Sequence, residues 1–336
     1  MDSLTHIVLG ACVGEVVAGK RLGKTAMLAG AVAQSIPDLD FVASFWMSPA
    51  NDLLAHRGFT HSFLFIVLIT YPLAHSVARW KWISPMSVRA WSFFILLELF
   101  IHIFLDAFNA YGTAWLEPFS HYRVSFNSLF VFDPLYSIWP LIAAVLLLIL
   151  SAQNKQRLKF AWMGITMSTL YLATSLLCKE LIATPVETSL AKQNIDYQRY
   201  FSTPTPGNIW LWYIVAEDDQ GFYAGYRSVF DSQVEIPFQF FSKNDHLLDT
   251  ISDHENLQRL IRFSEGYYTV STYENKLTFN DLRFGQMMGW RDPQSPFVFY
   301  YFLNHPSDNE LLIQRGRFAR WDEEARNSFI DRIKGI

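Results

Sequence analysis

Five short segments of the chain carry side chains able to hold a metal ion. His6 sits in Ser3-Leu4-Thr5-His6, and Asp38 and Asp40 follow Pro37. His56 and His61 enclose Arg57-Gly58-Phe59-Thr60, His102 precedes Asp106 by four residues, and Asp133 stands before Pro134. A spacing of four stacks His102 and Asp106 on one helix face, about 5–6 Å apart. Two carboxylates spaced as Asp38 and Asp40 can both be aimed from an extended turn. Mixed imidazole and carboxylate ligation suits zinc, manganese or iron better than calcium or magnesium. The expected ligands are His6, Asp38, Asp40, His56, His61, His102 and Asp106. They would hold about one to three divalent ions, zinc in the first place, with a carboxylate bridging any pair. Such an ion makes water a nucleophile near neutral pH, which is hydrolase chemistry.

The neighbours supply expected helpers. Asp38 is an added ligand or a general base, or else a turn cap. Arg57, between two candidate ligands, suits a phosphate or carboxylate substrate and would neutralise developing negative charge. The plainer reading pairs it with an acid such as Asp52. Glu98, His102 and Asp106 form an i, i+4, i+8 series. Glu98 could therefore accept the second ring N–H of His102, or else pair with another buried polar group such as His75. Thr60 and Asn109 are further candidate donors around the site. Asp133 touches the metal or its water, or caps the helix opening at Pro134. His75 and His121 read as ordinary packed or loop histidines. Glu15 is a buried carboxylate with no evident partner.

These residues need a scaffold, and composition says which kind. The 336 residues are 51% apolar and only 17% charged, with a net charge of −4. That excludes a disordered chain and gives no sign of nucleic-acid binding. Cys12 and Cys178 both lie in apolar segments, which excludes a disulfide scaffold or a C-x-x-C site. Phe59–Ala78, Ala90–Phe108, Leu135–Ser151 and Leu158–Cys178 are each long and apolar enough to cross a bilayer. Leu4–Gly19 and Thr25–Ile36 read as two shorter helices, with Gly10 and Gly14 allowing close packing. Lys20, Arg21 and Lys24, then Arg79, Lys81 and Arg89, then Lys155, Arg157 and Lys159 fall in three short loops. Threading six helices puts all three loops on one side, and positive loops stay cytoplasmic. The histidines and acids then gather at the outer face, and they played no part in that derivation. No removable signal peptide is evident.

The expected organisation is a mainly α-helical membrane domain of about six helices, two of them short, over residues 1–180. A linker over 181–205 and an extracytoplasmic α+β domain over 206–336 follow. In the last part Ile209–Val215, Phe222–Val229, Val234–Phe241, Tyr267–Tyr273, Lys276–Leu282, Phe297–Phe302 and Leu311–Phe318 alternate as strands do. Leu247–Phe263 and Trp321–Ile333 read as amphipathic helices. A site at headgroup level is most easily reached by a phospholipid or lipid-linked phosphoester, and the outer domain could select substrate or bind a protein partner. Two other classes fit the same residues: a non-catalytic membrane anchor with a structural metal, and a metal or ion transporter. A transporter needs polar residues continuing to the cytoplasmic helix ends, which carry only Lys, Arg and apolar residues.

Met1-Asp2-Ser3-Leu4-Thr5-His6, Pro37-Asp38-Leu39-Asp40, His56-Arg57-Gly58-Phe59-Thr60-His61-Ser62, His102-x-x-x-Asp106-x-x-Asn109-x-Tyr111-Gly112-Thr113 and Phe132-Asp133-Pro134-Leu135 together carry a resemblance. Over roughly residues 1–180 the chain resembles the membrane-bound metal-dependent hydrolase family of YdjM-like proteins. The resemblance implies a metal-dependent hydrolase of the bacterial inner membrane and names no substrate. A weaker similarity, in the order of His, Asp, His and H-x-x-x-D, extends to zinc-dependent phospholipase C and the P1-type nucleases. The chain departs from those in lacking a later H-x-x-x-E pair and their metal-binding N-terminal Trp.

Overall fold

The computed structural model of the chain describes residues 1–80, 85–273, 275–305, 309 and 321–336. The expected strand Leu311–Phe318 and the loop cation Lys81 lie outside the described residues. The chain divides into two compact units, one of Met1–Val42 with Ala55–Thr174, the other of Ala43–Leu54 with Ser175–Ile336.

The helices in chain order are α1 (Ser3–Leu22), α2 (Thr25–Ser35), α3 (Pro49–Ala55), α4 (Phe63–Arg79), α5 (Val88–Asp106), α6 (Pro134–Ile149) and α7 (Arg157–Lys192). Their starts follow capping chemistry. Asp2 accepts from Thr5 N–H, Ser62 from Phe65 N–H, Ser87 from Ala90 N–H, and Asp133 from Leu135 and Tyr136 N–H. Among the described residues α1, α5 and α7 are long and apolar enough to span a membrane. The bent pair Pro49–His61 and Phe63–Arg79, at 59° to each other, offers a fourth span. The helix expected from Phe59 thus begins only at Phe63, because a 3₁₀ turn over Phe59–His61 and an extended Ser62 cap interrupt it.

α1 is longer than expected. Its 20 residues reach about 30 Å, with Lys20 and Arg21 in a last turn whose dipole favours them. It crosses α2 closely. A Cβ at Gly10 would lie 2.6 Å from Gly30 O, and one at Gly14 2.3 Å from Ala26 O. α5 packs against α1, α2 and α4, and its Phe94, Leu99 and Ile103 are fully buried. At the other end of α1, Arg157 donates to both oxygens of Glu15, at 2.8 and 2.6 Å, and also to Leu147 O and Leu150 O. Arg157 is therefore an internal ion-pair partner, not a free loop cation, and it is the partner that Glu15 lacked in the sequence.

α7 runs through Pro185 to Lys192, and a strand starts at Arg199. The stretch 181–205 is thus largely regular structure in place of a linker. One missing hydrogen bond at Pro185 does not stop a helix that buries Ile182, Val186 and Leu190.

The second unit holds an antiparallel sheet in the order β1 (Arg199–Pro204), β2 (Leu211–Glu217), β3 (Gly221–Ser228) and β4 (Gln239–Ser242). A second antiparallel sheet has the order β5 (Tyr268–Tyr273), β6 (Lys276–Gln286) and β7 (Phe297–Phe302). Val215 pairs with Phe201 on one side and Ala224 on the other. Leu211, Tyr213, Phe222 and Leu282 make a core with Phe329 of α9 (Glu323–Ile333). The expected helix from Leu247 divides into a 3₁₀ turn over Asp245–Thr250 and α8 (His254–Phe263), which opens on the Asp253 cap. Val234–Phe241 yields only the four residues of β4.

Candidate metal centre

Four of the expected ligands converge. One donor atom from each of Asp38, His61, His102 and Asp106 lies within 4.8 Å of every other. His61 Nε2 and His102 Nε2 are 3.1 Å apart, and both face Asp38 Oδ1, at 3.6 and 3.5 Å. Both also face Asp106 Oδ2, at 3.3 and 3.5 Å. Zinc bonds of about 2.0–2.1 Å give a tetrahedron with edges of about 3.3–3.4 Å. Five of the six separations, 3.1–3.6 Å, bracket that edge, and the sixth, between Asp38 and Asp106, is within 4.8 Å. His61, His102 and Asp106 are fully buried, and Asp106 Oδ2 has no hydrogen-bond donor. Two carboxylate oxygens and two inward-turned imidazole nitrogens within 4.8 Å of one another form a donor set that fits a divalent ion.

The elements explain who reaches the centre. His102 and Asp106 occupy the last two turns of α5 on one face, as their spacing predicts. Asp38 and Asp40 diverge because Pro37–Phe45 is a 3₁₀ helix, not an extended turn. At three residues per turn, positions two apart point to different sides. Asp38 meets the Nε2 atoms and accepts from Ser3 Oγ at 3.1 Å. Asp40 instead accepts from Arg57 N–H at 2.9 Å and Thr60 Oγ1 at 3.1 Å, through Oδ2. The same Oδ2 lies 3.5 Å from His61 Nδ1, and Oδ1 lies 3.0 Å from His56 Nδ1. Asp40 thus backs two histidines from behind and is not in the four-donor group. Burial opposes ionisation of Asp38, but hydrogen bonds with His102 and His61 outweigh it and hold its carboxyl below the usual carboxylate range. For Asp40, burial is likewise outweighed by the hydrogen bond with His56.

The other expected residues stand around the centre in different roles. His56, 37% exposed, turns Nδ1 to Asp40, and its ring lies 6.2 Å from that of His61. His6 stacks on His102 at 3.8 Å and puts Nε2 3.1 Å from Asp106 Oδ1. That oxygen also meets the α-amino group of Met1. Arg57 is only 2% exposed. It donates to Asn109 Oδ1 at 2.7 Å and Met1 O at 3.1 Å, and its Nε lies 3.2 Å from Asp106 Oδ2. With its guanidinium so engaged, Arg57 clamps Asp106 instead of waiting for substrate, and its acid partner is Asp106, not Asp52. Asn109 also donates to Asp106 O at 3.0 Å. Thr60 donates to Asp40. Asp133 caps α6 and accepts from Tyr171 OH at 2.9 Å, apart from the four donors. Glu98 is fully buried, but neither it nor His102 Nδ1 has a hydrogen-bond partner, so the two do not bond directly. His75 stacks on Tyr71, and His121 pairs with Glu117.

Sequence reasoning passed over Gln34, a fully buried amide in α2 whose side-chain atoms also lack partners. Its signal was available: a lone amide in an apolar helix, four residues after Gly30.

Comparisons with known proteins agree with the motifs. The chain is 25% identical to the uncharacterized protein YfhP of Bacillus subtilis, over 96% of this chain and 95% of that one. It is 28% identical to the inner membrane protein YbcI of Escherichia coli, over 36% of this chain and 69% of that one. No solved structure matches it. The family profile of the YdjM inner membrane proteins matches residues 1–182, the part that holds α1 to α6, most of α7 and all four donors. The chain belongs to the YdjM inner membrane protein family.

Proposed function

We propose that this chain is a multi-pass, metal-dependent hydrolase acting on a phospholipid or lipid-linked phosphoester at the outer face of the cytoplasmic membrane. The observation that carries the reading is the convergence of Asp38, His61, His102 and Asp106, whose donor atoms all lie within 4.8 Å of one another. Zinc is the ion proposed, with manganese or iron as alternatives. A divalent ion held there would supply Lewis acidity that makes water nucleophilic near neutral pH and polarises a phosphoryl oxygen.

The chain's own groups would do the rest. Arg57, Asn109 and the α5 backbone fix Asp106. Thr60 Oγ1, which donates to Asp40, lies 3.0 Å from His61 Nδ1 and, with Asp40, holds that ring from behind. His56, oriented at Nδ1 by Asp40, is partly exposed and is the proposed proton acceptor through Nε2, a better base than Asp38, whose carboxyl is held too acidic for that work. Leu4, Ile7, Leu39, Phe41 and Phe59 are exposed apolar neighbours of His6, Asp38, Asp40 and Thr60. Such a rim suits acyl chains and supports a lipid substrate. The three cationic loops support the outward orientation, with the C-terminal domain extracytoplasmic and open to a protein partner.

A second reading, a structural metal in a non-catalytic anchor, is favoured by one feature: four protein donors can close a tetrahedral shell. The test separates them. Detergent-purified protein is analysed for zinc, manganese and iron and assayed on phospholipid and phosphodiester substrates, beside a His102→Ala, Asp106→Ala variant. Metal and hydrolysis lost together in the variant support the enzyme. Metal present with no hydrolysis of any phosphoester supports the anchor.

A further inference from the structure

Three helices each carry a second group one turn from the centre. α1 has Gly10 four residues after His6, α2 has Gly30 four residues before Gln34, and α5 has Glu98 four residues before His102. These groups meet where α1 crosses α2. A Cβ at Gly30 would lie 2.0 Å from Gly10 O and 2.9 Å from Glu98 Oε1. A Cβ at Gly10 would lie 3.0 Å from Gln34 Cβ. The glycines thus leave room for one carboxylate and one amide at the crossing, and the Gln34 side chain lies beside Glu98.

All of these polar groups are fully buried, and all are unmatched. Both oxygens of Glu98, both polar atoms of Gln34, His6 Nδ1 and His102 Nδ1 have no hydrogen-bond partner. The two stacked rings turn their Nε2 atoms to Asp106, so each Nδ1 faces away from the donor set. An imidazole that uses Nε2 toward a metal carries its proton on Nδ1. The inventory then balances. The Nδ1–H of His102 and the two N–H of Gln34 are donors, and the carboxylate of Glu98, the carbonyl of Gln34 and Nδ1 of His6, whose Nε2 faces Asp106 Oδ1, are acceptors. Neither ring Nδ1 bonds Glu98 directly, and buried water makes about three hydrogen bonds at such sites.

We infer that Gly10, Gly30, Gln34 and Glu98 enclose a water-binding chamber through which Glu98, a positioning residue, holds the Nδ1–H tautomer of His102 and so aims its Nε2 at the metal. The inference rests on the metal reading above, though not on hydrolysis. Its partners are water and the two rings, and no substrate enters it.

The test uses cobalt(II) as the probe. Full-length wild type and Glu98→Gln are titrated with cobalt against a competing chelator, and the visible ligand-field band is recorded. Loss of a group that orients a metal-bound histidine weakens binding about 10–100-fold. The expected result is a loss of that size in E98Q with a shifted band, while the metal-free protein melts at the wild-type temperature. Equal affinity and an unshifted band overturn the inference. A wild type that binds no cobalt or zinc overturns the metal reading itself, which distinguishes the two failures. Should E98Q not fold, the zinc-loaded wild type labelled with ¹⁵N-histidine decides. A slowly exchanging Nδ1–H on His102 supports the chamber, and an Nε2–H tautomer or rapid exchange rejects it.

Discussion

Replacing Asp40 by Asn changes one atom for another of nearly equal size and removes one charge, so its consequences can be worked out atom by atom. Oδ2 accepts from Arg57 N–H at 2.9 Å and from Thr60 Oγ1 at 3.1 Å. Arg57 sits at a φ of 58°, so its N–H is held in a fixed direction. The oxygen of an Asn side chain must therefore stay at the Oδ2 position, and its NH₂ falls at the Oδ1 position, facing His56 Nδ1. His56 can meet a donor there only by moving its own proton to Nε2, which disarms it as a base. His61 Nδ1, 3.5 Å from Oδ2, loses the negative charge that sustains its basicity as a ligand. Two effects follow. Metal affinity should fall about 10–100-fold, equivalent to about 1.4–2.7 kcal/mol. Hydrolysis should fall further than metal loss accounts for, even when saturated with metal. Stability of the metal-free protein should barely change, because every neutral hydrogen bond is kept. Asp40→Ala is the contrast: it leaves the Arg57 N–H without its acceptor, at about 1–3 kcal/mol of stability. Competition titration with zinc and a chelator, paired with thermal unfolding of both variants, reads all of this. D40N affinity within twofold of wild type would refute an action of Asp40 through His61. Complete loss of metal in D40N would place Asp40 among the ligands.

Three other outcomes follow from the same geometry. His56→Ala should retain its full metal content while turnover falls about 10²–10⁴-fold, the usual contribution of a general base; metal lost in proportion to activity would make His56 a ligand instead. Glu15→Gln leaves Arg157 buried beside a neutral partner, and breaking such a pair costs about 3–5 kcal/mol, whereas replacing both by Leu costs little; a thermal midpoint in detergent unchanged by E15Q would contradict the pair. Asp38 and Asp40 titrate below their ordinary values in the folded chain, so the stability they add is fully present above about pH 4, the unfolded value, and is lost as pH falls through the folded ones. Metal-free wild type should accordingly lose thermal stability between about pH 4 and pH 2 more steeply than D40N, and parallel curves would remove Asp40 from that account.

What the sequence conveyed about this centre divides along the line between local and non-local geometry. The pair His102 and Asp106 was legible because helical spacing is a property of the chain itself. Convergence of Asp38 and His61 on that pair was legible too, since charge in the loops orders the helix ends without reference to the histidines. The roles within Pro37-Asp38-Leu39-Asp40 were not. Two carboxylates two apart look equivalent until the turn is known, and a 3₁₀ helix sends one toward the donors and the other behind them. Arg57 misled for a related reason. An arginine among ligands reads as a hand held out to an anion, yet burial and the neighbouring Asn109 close that hand on Asp106. The Glu15–Arg157 pair joins residues 142 apart in sequence, and no periodicity relates them.

The same division bears on function. The direct contacts of Asp106 come from three segments: Met1 and His6 of the N-terminus on Oδ1, and Arg57 and His61 of the loop before α4, with His102 of its own helix, around Oδ2. A carboxylate surrounded by one permanent cation and three imidazoles is over-supplied with neighbours if its only task is to join helices, since Arg57 alone would neutralise it. The imidazoles become intelligible when Asp38 is added. Two carboxylates then share His61 and His102, whose Nε2 atoms face each other at 3.1 Å. At most one of those facing nitrogens can donate a proton to the other, and neither arrangement gives Asp106 Oδ2 a hydrogen bond. A single divalent ion would satisfy all four atoms at once.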